Sequence, residues 1–147
     1  IDGFAMAPPW PLVPVTHGTA VTVASGPNGD PADLDPFATS IVATRPETCQ
    51  QRRPVCVAMG HSFVEAEAYI HDRPKEAAEV LKKRFPQLAA GVFAAAFDVL
   101  HEISPSPPLV SQKGLENAER FNVDAGLLKP EEKLQSFAGI FTDEFVK

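Results

Sequence analysis

The sequence has no cluster or stripe of lysine and arginine. Its 13 basic side chains are dispersed among 19 acidic ones, for a net charge of -6. Nucleic acid is held through concentrated positive charge, so it is not expected as a partner. Long apolar runs are missing too. The longest, residues 88–97, contains Gly91 and stops well short of the roughly 20 residues that cross a bilayer, so no membrane span is expected. Also absent are a Gly-x-Ser-x-Gly elbow, a phosphate loop, a dinucleotide fingerprint and a zinc-protease helix. Ser25-Gly26 with His17 nearby specifies neither an orienting acid nor an oxyanion hole. No residue is therefore assigned to catalysis and no cofactor is expected. There is no internal repeat, no initiator methionine, and no charged or apolar leader at Ile1. Residues 1–6 already read as a strand, so the chain is expected to begin inside a folded element, as a fragment does.

Cysteine is scarce. Cys49 and Cys56 are the two present, and in one unbroken helix their Cα atoms would lie roughly 10.5 Å apart at ~1.5 Å per residue. That exceeds the reach of a disulfide. Pro54 cannot donate a backbone hydrogen bond and disfavours helix at Arg53, so a break there could bring the pair within range. Two readings stand: a bridge across the break, which would mark an oxidising compartment, or two small buried thiols in a helix.

What is present is a chain of 147 residues and 15.8 kDa, enough for one compact domain that buries roughly 68 to 70% of its unfolded surface. Residues 1–6, 19–24 and 37–43 read as strands, the last one buried. Pro8, Pro9 and Pro11 forbid regular structure between the first two, and residues 26–36 form a loop by turn chemistry. Thr44-Arg45-Pro46-Glu47 fits a capping box opening a helix. From Pro54, the apolar stripe Val55, Met59, Phe63 predicts a helix that packs by that face. Asp72 is the expected cap of the next helix, with Pro74 in its first turn and Pro86 beyond its end. Leu88, Val92, Phe93, Ala96, Phe97, Leu100 and Ile103 predict another, Ser111 caps residues 112–122, and Pro130 opens a short one.

Candidate sites are few. His61 with Glu65 and Glu67 with His71 have the four-residue spacing of two metal ligands on one helix face, but no third ligand is clustered with either, so ordinary surface pairs are expected. The acidic loop Asp30-Pro31-Ala32-Asp33-Leu34-Asp35 lacks the central glycine and closing glutamate of a calcium hand and reads as solvated. Ala7-Pro8-Pro9-Trp10 is a rigid corner after a strand end carrying the single tryptophan. It suits either a ligand-contacting wall or a buried corner.

Motifs in sequence order carry a resemblance. Asp2-Gly3-Phe4-Ala5 precedes Pro9-Trp10-Pro11; Pro36-Phe37 precedes Val42-Ala43-Thr44; Arg53-Pro54-Val55 and Asp72-Arg73-Pro74-Lys75-Glu76-Ala77-Ala78 open helices; and Gly126-Leu127-Leu128 leads to Phe141-Thr142-Asp143-Glu144-Phe145-Val146. In this order they are similar to the C-terminal half of periplasmic solute-binding proteins of the nitrate, sulfonate and taurine ABC importers, whose relatives include binders of thiamine pyrimidine precursors. The resemblance implies an α/β, periplasmic-binding-protein-like (type II) two-lobe fold, of which this chain would be a C-terminal portion with few strands and many helices. Residues 1–25 would end the second lobe and cross over, and residues 26–147 would return to the first. It further implies capture of a small anion, a sulfonate-, nitrate- or taurine-like nutrient or a pyrimidine in an interlobe cleft lined by Met6, Pro9, Trp10 and Phe37. The implied partners are a small-molecule ligand, an ABC permease and the missing N-terminal half, in the periplasm or on an extracellular lipid anchor. Pro8 stands where many members carry glutamate, and the pair Cys49 and Cys56 lies outside the general pattern. An enzyme of the pyrimidine-synthesis kind, whose cysteine-rich motif is missing here, and a sensory domain are the alternatives.

Overall fold

Among the described residues of the computed structural model, which are 2–38 and 40–147, the regular structure is helical throughout. The short helix α1 (Leu12–Thr16) follows the proline-rich segment and stops at Gly18, whose φ of 69° is open to glycine at little cost. Next come α2 (Pro46–Gln51), α3 (Arg53–Asp72), α4 (Pro74–Lys82), α5 (Ala90–Ile103) and α6 (Gln112–Asp124). Single 3-10 turns occupy Gly26–Asn28, Ala32–Leu34 and Pro130–Glu132. Helix α3 packs on α4, α4 on α5, and α1 on α5, while α6 packs on the turn Ala32–Leu34.

The α/β two-lobe expectation is overturned, because no strand and no sheet occur among the described residues. Residues 19–24 and 40–43 lie outside regular structure with their branched side chains in solvent, Val21 at 83% and Val23 at 91% exposure. The physical reason is that β preference expresses a fit to a pleated, half-buried surface, and a ladder needs a partner strand in register. Neither is supplied here. Phe37 is half-buried and the Ala38 amide donates to the Gly114 carbonyl at 3.2 Å, which ties this segment to a helix instead. Ile1 and Thr39, members of the first and third expected strands, lie outside the described residues.

Prolines moved two helix starts. The cap of α2 is Arg45, extended and without a side-chain bond, in place of Thr44. Asp72 closes α3, and Arg73 takes the cap position of α4. In both cases proline at the first helical position drives the residue before it out of helical geometry, so that residue becomes the boundary. The expected packing face of α3 is also corrected: Val55, Met59 and Phe63 are exposed, whereas Gly60 is buried. Helix α6 opens as expected, with the Ser111 hydroxyl accepting from the Gly114 amide at 3.0 Å.

The interior is thin. Among the described residues Ala77 and Val92 are the buried apolar side chains. The accessible surface is 10772 Å², against roughly 7,300 Å² for a folded monomer of this mass, so about half of the unfolded surface is buried rather than roughly 68 to 70%. Much apolar surface remains uncovered.

Candidate functional site

The Pro8–Trp10 corner leads directly into α1. The carbonyls of Pro9 and Trp10 accept from the amides of Leu12 and Val13 at 3.1 and 3.3 Å. Pro9 is half-buried, while Trp10 is 51% exposed and Met6 lies in solvent beside it in sequence. Pyrrolidine rings fix the backbone here, so the indole stands on a stiff support. It is not sealed in a core.

Phe37 is placed elsewhere. Its ring meets that of Phe121 on α6 edge to face, with centroids 5.7 Å apart and planes at 88°. One residue earlier, the Pro36 carbonyl accepts from the side-chain amide of Asn117 at 2.9 Å, and Asn117 is buried. Met6, Pro9 and Trp10 thus share one segment, and Phe37 belongs to the packing of α6.

Along α6 the side chains of Lys113, Glu116, Asn117 and Arg120 fall at i, i+3, i+4 and i+7, which aligns them on one face. That face forms one wall of an open hollow of about 470 Å³. Arg120 reaches the Asp33 carbonyl and, at 3.3 Å, the Asp33 carboxylate, holding the turn Ala32–Leu34 as a second wall. Glu119 holds the third. Its Oε1 accepts from the Leu134 amide at 2.7 Å, and its Oε2 lies 3.8 Å from Lys133 Nζ. This polar stripe lies outside every motif that the sequence displays. Its signal, charges of both signs repeating at helical spacing, reads first as a solvated helix face.

The helix-pair candidates separate. His61 and Glu65 are exposed on α3. His71, by contrast, lies on the ring of His101 from α5 at 5.1 Å between centroids, and its Nε2 donates to the carbonyl of buried Ser104 at 2.8 Å. Since a carbonyl can only accept, this bond places the proton on Nε2. Glu67, one turn before His71, buries its Oε2 without a partner. Among the described residues no three histidine, cysteine, aspartate or glutamate side chains are placed to hold a metal.

Cys49 and Cys56 are joined by a disulfide, with Cα atoms 5.7 Å apart. The break that permits it is Arg52, which leaves helical geometry at φ -128° and ψ 42°. No helix among the described residues is long and apolar enough to cross a membrane. In comparisons with known proteins, the chain matches no family model, no curated protein and no solved structure.

Proposed function

We propose that this chain is a solute-binding component of an ABC importer. It takes up a small anion, a sulfonate-, nitrate- or taurine-like nutrient or a pyrimidine, and works outside the cytoplasmic membrane with a permease and an N-terminal companion polypeptide. The observation that carries this reading is Trp10: the single tryptophan, half exposed on a proline-stiffened segment, is a flat amphipathic surface against which a small solute can stack. Two further features support it. The uncovered apolar surface, with Val21, Val23 and Ile41 largely in solvent, favours a companion that covers it. The Cys49–Cys56 bridge favours an oxidising compartment. The order of sequence motifs adds the solute class.

Thermal unfolding in the presence of taurine, an alkanesulfonate, nitrate or a pyrimidine tests the reading. A bound solute at one hundred times its dissociation constant stabilises by about 2.7 kcal/mol. One of these compounds is expected to raise the transition, and Trp10→Ala is expected to abolish most of that rise. If none of the four acts, in the presence or absence of the companion, the proposal fails.

A further inference from the structure

The charged hollow on α6 does not end at its charged walls. A second hollow of about 410 Å³ adjoins it and is lined by Leu127, Leu128 and Ile140; the two share Glu119, Leu134 and Phe137. Together they make one trough with a charged end and a mainly apolar end, where Glu132 is turned back onto the Lys129 amide, each half within the roughly 300–1,000 Å³ range of small-molecule sites. Neither Trp10 nor Phe37 lines it.

At the charged end the signs balance, Lys113, Arg120 and Lys133 facing Asp33, Glu116 and Glu119. A simple anion would meet three carboxylates and a simple cation three cations. Three members are already committed to the walls, Arg120 and Asp33 to each other and Glu119 to the Leu134 amide. Lys113, Lys133 and Glu116 are held less closely. Lys113 Nζ lies 3.9 Å from Glu116 and Lys133 Nζ 3.8 Å from Glu119, beyond the roughly 2.7–3.2 Å of a hydrogen bond. Both ammonium groups keep donors to offer, and Glu116, whose Oε1 accepts from Gln112 at 2.9 Å, keeps Oε2 to accept. Donors and an acceptor of opposite charge stand on one rim, and the adjoining hollow offers apolar side chains.

We propose that this trough binds a small zwitterion bearing an apolar side chain, a molecule of the amino-acid type. Its carboxylate is taken by Lys113 and Lys133, its ammonium by Glu116, and its side chain by Leu127, Leu128 and Ile140. The charge pattern supplies the choice of occupant: an amphiphile with both charges on one end satisfies the rim and the adjoining hollow at once. This inference concerns a different place from the Trp10 surface and stands or falls separately from the function proposed above.

Isothermal titration of the chain with L-phenylalanine, glycine and phenylacetate tests it, because glycine keeps both charges without the apolar group and phenylacetate keeps the ring without the ammonium. Saturable binding of phenylalanine is expected, roughly ten-fold or more tighter than either analogue. Lys133→Met and Glu116→Gln, each checked for unchanged helix content by circular dichroism, should each weaken phenylalanine about ten-fold, as loss of one charge-assisted hydrogen bond does. Leu127→Ser should weaken phenylalanine and leave glycine unaffected. The proposal is overturned by no saturable binding of phenylalanine, by equal affinity for glycine or phenylacetate, or by folded Lys133 and Glu116 variants that bind as the parent does. It is equally overturned if sedimentation shows a second copy or a peptide segment filling the trough, as a dimer lost in Leu127→Ser. The sulfonate response through Trp10 and the phenylalanine response through Lys133 are read in separate titrations, so either can fail alone.

Discussion

Gly60, in the middle of α3, lies directly beneath the backbone of Phe145. A Cβ at position 60 would sit 2.6 Å from the Phe145 carbonyl carbon and closer still to its oxygen. The C-terminal segment lies against the helix at this one place where no side chain intervenes, and Arg53 holds it from the same helix. Its guanidinium bonds Glu144 at 2.9 Å and covers the Phe145 ring at 5.3 Å. Gly60→Ala opposes two effects. Helix propensity favours alanine by about 1 kcal/mol, while forcing a methyl into a closed contact costs about 1–3 kcal/mol. The backbone clash cannot be relieved by a rotamer change, so the contact is expected to yield: α3 persists and residues 141–147 lift away. Limited proteolysis checks this, with faster trimming of the C-terminus in Gly60→Ala than in the parent. Equal protection in both would refute the contact.

The bridge at the α2–α3 corner makes a second prediction. Cys49 and Cys56 close a loop with a sequence separation of 7, and a loop that short is expected to contribute about 2–3 kcal/mol by limiting the unfolded chain. Cys49→Ser should therefore lower the urea midpoint, and reducing agent should do the same to the parent and nothing to the variant. An unchanged midpoint in both comparisons would mean that the corner holds without the bridge.

How legible was this arrangement in the sequence? Ser111, Pro74 and the Leu88 to Ile103 apolar spacing located helices well, because caps, proline and helical periodicity act within a few residues of chain. The same locality explains what failed. Val21, Val23, Ile41 and Val42 have the composition of strands, yet a strand exists only with a partner, and partner choice is not written in a six-residue window. Met59 and Phe63 read as a packing stripe, but which side of α3 is covered is decided by Phe145, more than eighty residues away in sequence, settling on Gly60. The trough on α6 was hidden for a related reason. Lys113, Glu116 and Arg120 announce a charged face, whereas the hollow arises only when Asp33 and Lys133 are brought to it from distant segments.

Asn117 ties two of those segments together. Its side-chain amide is buried and donates to the Pro36 carbonyl at 2.9 Å, fixing the strap before Phe37 onto α6. Proline has no amide of its own to offer in exchange, so this bond and the one from the Ala38 amide to the Gly114 carbonyl together hold that turn of chain. Pro36 is exposed, so water can replace the lost donor, and Asn117→Ala is expected to cost the net value of one hydrogen bond, about 0.5–1.5 kcal/mol. Denaturant unfolding should show that loss. Asn117→Asp, which replaces the donor by an acceptor facing the carbonyl, should cost at least as much at neutral pH. A neutral outcome for both substitutions would remove Asn117 from its anchoring role.

The last prediction concerns Tyr69 near the end of α3. Its hydroxyl donates to the Glu76 carboxylate of α4 at 3.2 Å, bridging the two helices across the Arg73–Pro74 corner. Partial burial, and then the neighbouring Glu76 carboxylate, raise the phenol above its ordinary value of 10.0, with Arg73 pulling the other way. The raised value means that the folded chain keeps this proton where the unfolded chain has begun to lose it. Stability from the pair is therefore fully present below the ordinary phenol value and is lost as pH rises past it through the folded value. Tyr69 is the single tyrosine, so phenolate absorbance reports it directly. The titration midpoint should lie above that of the chain in denaturant, and Glu76→Gln should lower it by removing the carboxylate's charge. Tyr69→Phe should flatten the fall in stability over the same alkaline range. A midpoint equal to that of the denatured chain, unmoved by Glu76→Gln, would show that the phenol does not sense α4 at all.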